Sequence, residues 1–224
     1  MFKAVLIDFD DTLCQTEAAA FELENEALAL MGRLPQDRAV HQSTWGQPSH
    51  EAIKVRSPGI DPEQFQMTLR ELIAARHILG TFDVISQQNL AALDELRAEG
   101  KQLYIVTSRL VGEMQHLMST DHALASRVHA FYYHDIMEYH KPDPRAFDIV
   151  LNNHNLKPDE CVYIGDTPGD AMAAKGAGLA FIANLESGLR SRAEFNELGV
   201  DAFIDRFSDV PAQIERLESR PLVI

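Results

Sequence analysis

Short apolar segments alternate with helical patterns along most of this chain, and this alternation limits its fold more than any other feature. The patterns at 86–99, 110–119, 143–154 and 168–177 are typical of helices, and Ser86 and Gly100 suit the two ends of the first. Strands that alternate with helices indicate a parallel sheet covered by helices. The sequence therefore predicts an α/β protein with a doubly wound, Rossmann-like parallel sheet. The predicted strands are 4–7, 103–107, 130–133, 162–164 and 179–183.

One region interrupts the alternation. Residues 15–82 carry helical patterns and no convincing strand. Asp61 followed by Pro62 is typical of a helix N-cap and first turn. We therefore expect a helical cap domain at 15–82, inserted into a core formed by 1–14 and 83–224. Two sets of apolar residues at helical spacing support this cap: Leu23, Ala27, Leu30 and Met31, and Phe65, Leu69, Leu72 and Ile73.

Two carboxylates directly follow the first predicted strand. Asp8 and Asp10 stand two positions apart, and side chains at that spacing point the same way from an extended chain. Open parallel sheets bind ligands at the carboxyl ends of their strands. Because like charges this close repel, a divalent cation is the simplest group to join them. The segment predicts a small acidic site with a bound metal ion.

Further polar residues and one glycine follow, or closely adjoin, the later predicted strands: Thr107, Ser108, Lys141, Gly165, Asp166 and Asp170. Together with Asp8 and Asp10, this ordered set resembles the signature motifs of the haloacid dehalogenase superfamily. Within it, the set is similar to the phosphatase branch with a helical type-1 cap, the branch of phosphoglycolate phosphatases and β-phosphoglucomutase. Each motif is weak alone, whereas the ordered set spanning residues 8–170 is specific.

The resemblance implies a covalent mechanism that depends on Mg²⁺. Asp8 would attack phosphorus and become an aspartyl phosphate, which divides a very high barrier into two. Asp10 would protonate the leaving oxygen and later activate water. The Mg²⁺ ion would bind the Asp8 carboxylate, the Asp10 backbone carbonyl and Asp166.

The resemblance also implies how the phosphoryl group is bound. The Thr107 hydroxyl, the Ser108 backbone N–H and the Lys141 ammonium would contact its oxygens. Asp170 would hold either the waters of the metal or Lys141. The implied activity is hydrolysis of a small phosphate monoester, namely a sugar phosphate, a phosphoglycolate-like acid or a nucleotide.

Departures from the family pattern bear on the alternatives. Asp11 stands where the phosphatase motif usually has Gly, and its short polar side chain also suits a turn or a helix cap. Dehalogenases lack an aspartate at position 10, so Asp10 favours phosphoryl transfer. Ala20 stands where the related sugar-phosphate mutases carry histidine, which argues against the alternative of a phosphotransferase or mutase. A non-catalytic, regulatory member of the family is a second alternative, but it would normally have lost the nucleophile or a metal ligand.

Substrate choice would depend on the cap. Segment 45–53 resembles the glycine-containing specificity loop of such caps. For each side chain there, the competing interpretation is an ordinary role in the cap core or on its surface. Arg109, beside Ser108, is a further candidate. The cap candidates for contact with the leaving group are Trp45, Gly46, Gln47, His50, Lys54 and Arg56.

Charge and composition limit the kinds of partner that the protein can have. Thirty-four acidic residues against 20 basic ones give a net charge of −14, which argues against a nucleic-acid partner. No apolar run approaches the roughly 20 residues of a membrane span, and the N-terminus lacks a signal-peptide pattern. Cys14 and Cys161 lie at opposite edges of the predicted sheet, so we expect thiols in a reducing compartment. We expect a cytoplasmic monomer that acts on a small phosphorylated metabolite.

Overall fold

The computed structural model describes residues 1–45, 47 and 49–219. The chain divides into two compact units, one formed by Met1–Cys14 with Ile85–Ile224 and the other by Gln15–Val84. The second unit ends at Val84, two residues beyond the end at residue 82 that the sequence predicts. We call the first of these the core unit and the second the inserted unit.

The core unit contains a six-stranded, wholly parallel sheet. The strands are β1 (Ala4–Ile7), β2 (Gln102–Val106), β3 (Ala130–Tyr132), β4 (Cys161–Gly165), β5 (Ala180–Asn184) and β6 (Ala202–Ile204). Their order is β3-β2-β1-β4-β5-β6, so β1 lies between β2 and β4, where the direction of winding reverses. The predicted fold class is confirmed, and the reversal is the place where such sheets bind ligands.

The strand register brings the ends of β1, β2 and β4 to one level. Ile7 is paired with Ile105 on one side and with Ile164 on the other. The pairing continues past the strand, because the Asp8 N–H donates to the Ile164 carbonyl at 2.9 Å. The residues that follow these three strands therefore emerge side by side.

Helices are the only regular secondary structure in the described part of the inserted unit. Asp61 caps its last helix as predicted, because its carboxylate accepts the N–H groups of Glu63 and Gln64 at 3.0 and 3.2 Å. A small apolar cluster of Leu23, Ala27, Leu28, Ile53, Ile60, Phe65 and Leu69 forms the interior. The helices are α1 (Glu17–Leu30), α2 (Arg38–Ser43), α3 (Ser49–Arg56) and α4 (Pro62–Ile78).

One residue of the apolar set predicted for α1 does not face the interior. Leu30 is 67% exposed, whereas Leu28 and the carboxylate of Glu24 are buried. The buried face of α1 is rotated away from Leu30 because Glu24 faces inward, where its two oxygens each lie 2.8 Å from Nη1 of Arg56. Arg56, a candidate for substrate contact, is thus part of the interior of the inserted unit.

Helices cover both faces of the core sheet. These helices are α5 (Gln87–Ala98), α6 (Val111–Met114), α7 (Asp148–His154), α8 (Pro168–Gly176) and α9 (Val210–Glu218). Val5 and Ile7 of β1 pack in one apolar cluster with residues of α5 and α9, and Ala4 and Leu6 pack in another with residues of α7 and α8. In the part of the chain that is described, no helix has both the length and the apolar character needed to cross a membrane.

Several predicted bounds need correction. The helix expected at 110–119 is only the single turn of α6, where Gly112 lowers helix propensity. The segment 143–154 begins as a 3-10 helix, Pro144–Phe147, before α7. No helix or strand was predicted beyond residue 183, so β6 and α9 were missed. Cys14 and Cys161 are both buried and are not joined in a disulfide.

The Glu24–Arg56 pair yields a test of the inserted unit. Replacing Arg56 with Met leaves a buried carboxylate without its cation, which costs about 3 kcal/mol of unfolding free energy. The double variant Glu24→Gln/Arg56→Met should recover a large part of this loss. Trp45, the only tryptophan, lies in the inserted unit and supplies a fluorescence signal for urea unfolding.

Lys54→Met is the matched control. Lys54 is half exposed and pairs with Glu51 at 2.8 Å, so its loss should cost less than about 1 kcal/mol. Equal losses in the two single variants would contradict a structural role for the buried pair.

Candidate active site

The predicted site residues of the core unit meet at the carboxyl edge of the sheet. Asp8 follows β1, Thr107 follows β2 and Asp166 follows β4. Asp8, Thr107 and Asp166 are buried, and Ser108 is exposed beside them. Lys141 reaches the same place from the connection between β3 and α7, with its Nζ 3.0 Å from Oδ2 of Asp8. The strand register thus gathers residues that are far apart in sequence.

Lys141 lies at the centre of this group. Besides Asp8, its ammonium contacts Oδ1 of Asp170 at 2.7 Å and the Tyr163 hydroxyl at 2.7 Å. Its side chain is only 8% exposed. Burial lowers the pKa of Lys141, but the charges of Asp170 and Asp8 and their hydrogen bonds outweigh it and raise that pKa above its usual range. The lysine is therefore a fixed positive charge.

Asp170 holds Lys141 in position. It lies in the first turn of α8, where its Oδ2 accepts the Thr167 N–H at 3.0 Å and the Thr167 hydroxyl at 2.6 Å. Burial raises the pKa of Asp170, but the charge of Lys141 and these hydrogen bonds outweigh it, so the pKa is lowered. Of the two contacts that the sequence left open for Asp170, the structure contains the one with Lys141.

Gly165 makes room for this arrangement. A Cβ atom at this position would lie 2.7 Å from both Cβ and Cγ of Asp170. Contacts that short do not occur between real side chains, so any larger residue would displace Asp170 and with it Lys141. The motif thus needs glycine for a steric reason.

Three carboxylates form an acidic cluster around the lysine. Ligand oxygens of Asp8, Asp166 and Asp170 all lie within 4.8 Å of one another. Burial, with the charges of Asp170 and Asp10 added and Lys141 opposing, raises the pKa of Asp8 to about 7. Burial and the charges of Asp170, Asp8 and Asp11 raise the pKa of Asp166 well above its usual range. Closely spaced carboxylate oxygens with too little positive charge suit a hard divalent cation.

Asp11 departs from the family pattern without disturbing the backbone. Its φ of +52° lies in the left-handed region, which glycine enters freely and aspartate tolerates. The loop closes on itself, because the Asp11 N–H donates to the Cys14 carbonyl at 2.7 Å. The Thr12 hydroxyl donates to Oδ1 of Asp166 at 3.3 Å. A glycine-like conformation thus explains why Asp is accepted here.

Asp10 has a different neighbour. Among the described residues, the three-carboxylate cluster does not include it. Its carboxylate instead accepts Nε of Arg109 at 2.9 Å and Nη2 at 2.7 Å. Arg109 was predicted only as a substrate candidate, and this contact was missed because 99 positions separate the two residues.

The remaining candidates belong to the inserted unit. Trp45 is half-buried with its ring 5.4 Å from that of His41, and His50 is exposed with Nε2 3.2 Å from Glu51. Gly46 lies outside the described residues. Contact of Trp45, Gln47 or His50 with a substrate stays a prediction.

Comparisons with known proteins find similar sequences over most of the chain. The sequence profile of the haloacid dehalogenase-like hydrolases matches residues 5–184. A phosphorylated carbohydrates phosphatase of Thermotoga maritima is 23% identical over 206 residues, covering 90% of this chain and 94% of the relative. A phosphoglycolate phosphatase of Rhodospirillum rubrum is 26% identical over 220 residues, covering 94% and 90%.

A solved structure shares the fold. The structure of CbbY from Rhodobacter sphaeroides in complex with xylulose-1,5-bisphosphate gives a TM-score of 0.73 at 22% identity. The match covers 93% of this chain and 96% of that one. The likeness extends over both units of the chain.

The acidic cluster predicts stabilisation by Mg²⁺. At about 100 times its Kd, a cation that binds only the folded state adds about 2.7 kcal/mol to the unfolding free energy. Asp166→Asn removes one carboxylate of the cluster and should weaken Mg²⁺ binding at least about tenfold, measured by titration calorimetry.

Without metal, we expect the same variant to raise the stability of the fold. A carboxylate whose pKa is raised on folding destabilises the fold once pH exceeds its unfolded pKa, so at pH 7 metal-free Asp166→Asn should be more stable than wild type. Asp159→Asn, at an exposed position, is the control and should change neither quantity. Unchanged Mg²⁺ affinity in Asp166→Asn would remove Asp166 from the metal site.

Proposed function

The chain belongs to the haloacid dehalogenase-like hydrolases, and from this premise we propose that it hydrolyses a small phosphate monoester through an aspartyl phosphate on Asp8. The observation that carries the proposal is the buried Asp8 carboxylate 3.0 Å from the fixed ammonium of Lys141. Nucleophile and cation together form a place for a phosphoryl group. Relatives named as phosphatases, similar over at least 90% of their own length, support the assignment.

Two proton transfers balance the reaction. An oxygen of Asp8 bonds to phosphorus as the ester P–O bond breaks, and Asp10 gives its proton to the leaving oxygen. Asp10 then takes a proton from a water molecule, which attacks the acyl phosphate. Inorganic phosphate leaves, and both aspartates return to their starting forms.

The neighbouring residues bind the transferring group. Lys141, held by Asp170 and Tyr163, offers its charge to the phosphoryl oxygens without first having to be oriented. Thr107 and Ser108 would donate from the hydroxyl and the backbone N–H, respectively. Such preorganised donors stabilise the charge that develops in the transition state.

Mg²⁺ fits the donor set of this site. Asp8, Asp166 and the backbone carbonyl of Asp10 are the proposed ligands, and the carboxylate cluster supports the first two. When bound, the ion would neutralise charge on the phosphoryl oxygens. Asp170 is already engaged by Lys141 and Thr167, so we assign it to positioning rather than to the metal.

The substrate class follows from the relatives and from the cap candidates. Phosphorylated carbohydrates and phosphoglycolate are named for the two relatives, and a sugar phosphate, a phosphoglycolate-like acid or a nucleotide would suit the site. Trp45, Gln47 and His50 are proposed to contact the leaving group. Water is the proposed acceptor, because Ala20 stands where mutases carry histidine. Two thiols without a disulfide fit the cytoplasm as the place of action.

Asp8→Asn tests this function. Phosphate release from a broad panel of monoesters is measured with Mg²⁺ and with EDTA. Because the amide is a poor nucleophile, the variant should lose activity by about 10³-fold or more. EDTA should abolish wild-type turnover.

Asp159→Asn, purified in the same way, is the control and should keep wild-type activity. Residual activity equal to wild type in Asp8→Asn, with the same substrate ranking, would overturn the nucleophile. Wild type inactive on the whole panel would favour a non-catalytic family member, and transfer of phosphate to a sugar instead of water would favour the mutase.

A further inference from the structure

Arg109 forms a bidentate ion pair with Asp10. Nε lies 2.9 Å from Oδ2 and Nη2 lies 2.7 Å from Oδ1, the two-pronged geometry of a strong arginine–carboxylate pair. The Arg109 side chain is 11% exposed and that of Asp10 is 33% exposed. The pair therefore borders solvent on the Asp10 side.

Further contacts hold the arginine in place. Its guanidinium carbon lies 4.5 Å from the ring centroid of Phe9, within reach of a cation–π interaction. Its backbone N–H donates to the Thr107 hydroxyl at 3.3 Å. Arg109 is thus held beside the residues proposed to bind the phosphoryl group.

This contact conflicts with the proposed chemistry of Asp10. A general acid must lie within hydrogen-bond reach of the leaving oxygen. Both oxygens of Asp10 accept hydrogen bonds from guanidinium donors, so in this arrangement the carboxylate is turned to Arg109 and has no proton directed at a substrate. The ion pair has to open, and Asp10 has to take up a proton from water, before it can act as the acid.

We propose that Arg109 is a positioning and specificity residue, which releases Asp10 when a second anionic group of the substrate takes its guanidinium. This inference rests on the proposed phosphatase function and names its substrate class. A carboxylate or a second phosphate matches the planar fork of arginine, as Asp10 does. The substrates are therefore short phosphate monoesters that carry a second anion.

The release of Asp10 is explained by the exchange of one anion for another on the Arg109 guanidinium. Replacing the Asp10 carboxylate with another anion keeps the arginine paired, so the release of Asp10 costs little. A neutral hydroxyl or amide gives no such compensation, and the arginine stays on Asp10. The anion would thus raise the reactivity of the bound complex as well as its affinity.

The test compares matched substrates that differ only in the second anion. One pair is phosphoglycolate and phosphoglycolamide, and the other is xylulose 1,5-bisphosphate and xylulose 5-phosphate. Values of kcat and KM are measured with Mg²⁺ for wild type, Arg109→Gln and Arg109→Lys. Arg97→Gln is the matched control, since Arg97 is an exposed arginine on α5.

We expect wild type to prefer the anionic member of at least one pair by about tenfold or more in kcat/KM. Arg109→Gln should lose this preference, with kcat/KM for the anionic substrate falling about 10- to 100-fold. The neutral substrate should change less than about threefold or react faster, because Asp10 is no longer held. Arg109→Lys keeps the positive charge but lacks the planar pair of donors, so its preference for the anionic substrate should lie between those of wild type and Arg109→Gln.

Each other outcome is decisive. Wild type that hydrolyses neutral members as well as anionic ones, or an Arg109→Gln variant that slows all substrates equally, overturns the inference and leaves the phosphatase function standing. Wild type without activity on any phosphate monoester overturns the proposed function instead. Thermal unfolding identifies a misfolded Arg109→Gln, in which case the substrate preference of Arg109→Lys decides.

Discussion

The site depends on one buried ion cluster, in which the Lys141 ammonium lies between Asp8 and Asp170. Burial alone would favour loss of the charge of this lysine, yet the two carboxylates at 3.0 and 2.7 Å keep it positive. The cluster joins the end of β1 to the first turn of α8. With Asp166 added, three carboxylates face a single lysine. The surplus of negative charge is what makes a divalent cation fit.

The backbone around this cluster is shaped to accommodate it. Gly165 ends β4 where any Cβ would strike Asp170, and Thr167 fixes the carboxylate of Asp170 from the N-cap of α8. Neither residue has to touch a substrate to be needed. The central position of β1 in the sheet brings Asp8 next to the ends of both β2 and β4. Packing and topology therefore supply the preorganisation that a charged site requires.

The sequence predicted what local pattern determines and missed what depends on distant contacts. The buried strands of the sheet were predicted because their apolar runs are bounded by polar residues. β6 was missed because its apolar run, 202–204, has only three residues between Asp201 and Asp205, whereas the run that revealed the equally short β3 extends over 130–133. Leu30 was placed in the interior because spacing does not reveal that Glu24 faces inward to meet Arg56. The Arg109–Asp10 pair joins positions 99 apart and follows only from the register of β1 and β2.

The two aspartates of the first motif show why spacing alone is insufficient. Side chains two positions apart share a direction only while the chain is extended, and β1 ends at Ile7. Beyond it the chain turns, so Asp8 faces Lys141 inside and Asp10 faces Arg109 at the edge. A carboxylate nucleophile is held in place by a fixed buried cation, whereas a group that acts as both acid and base has to be able to leave its partner. Different neighbours thus suit two identical side chains to the different tasks proposed for them, and the more exposed pair is the one suited to open.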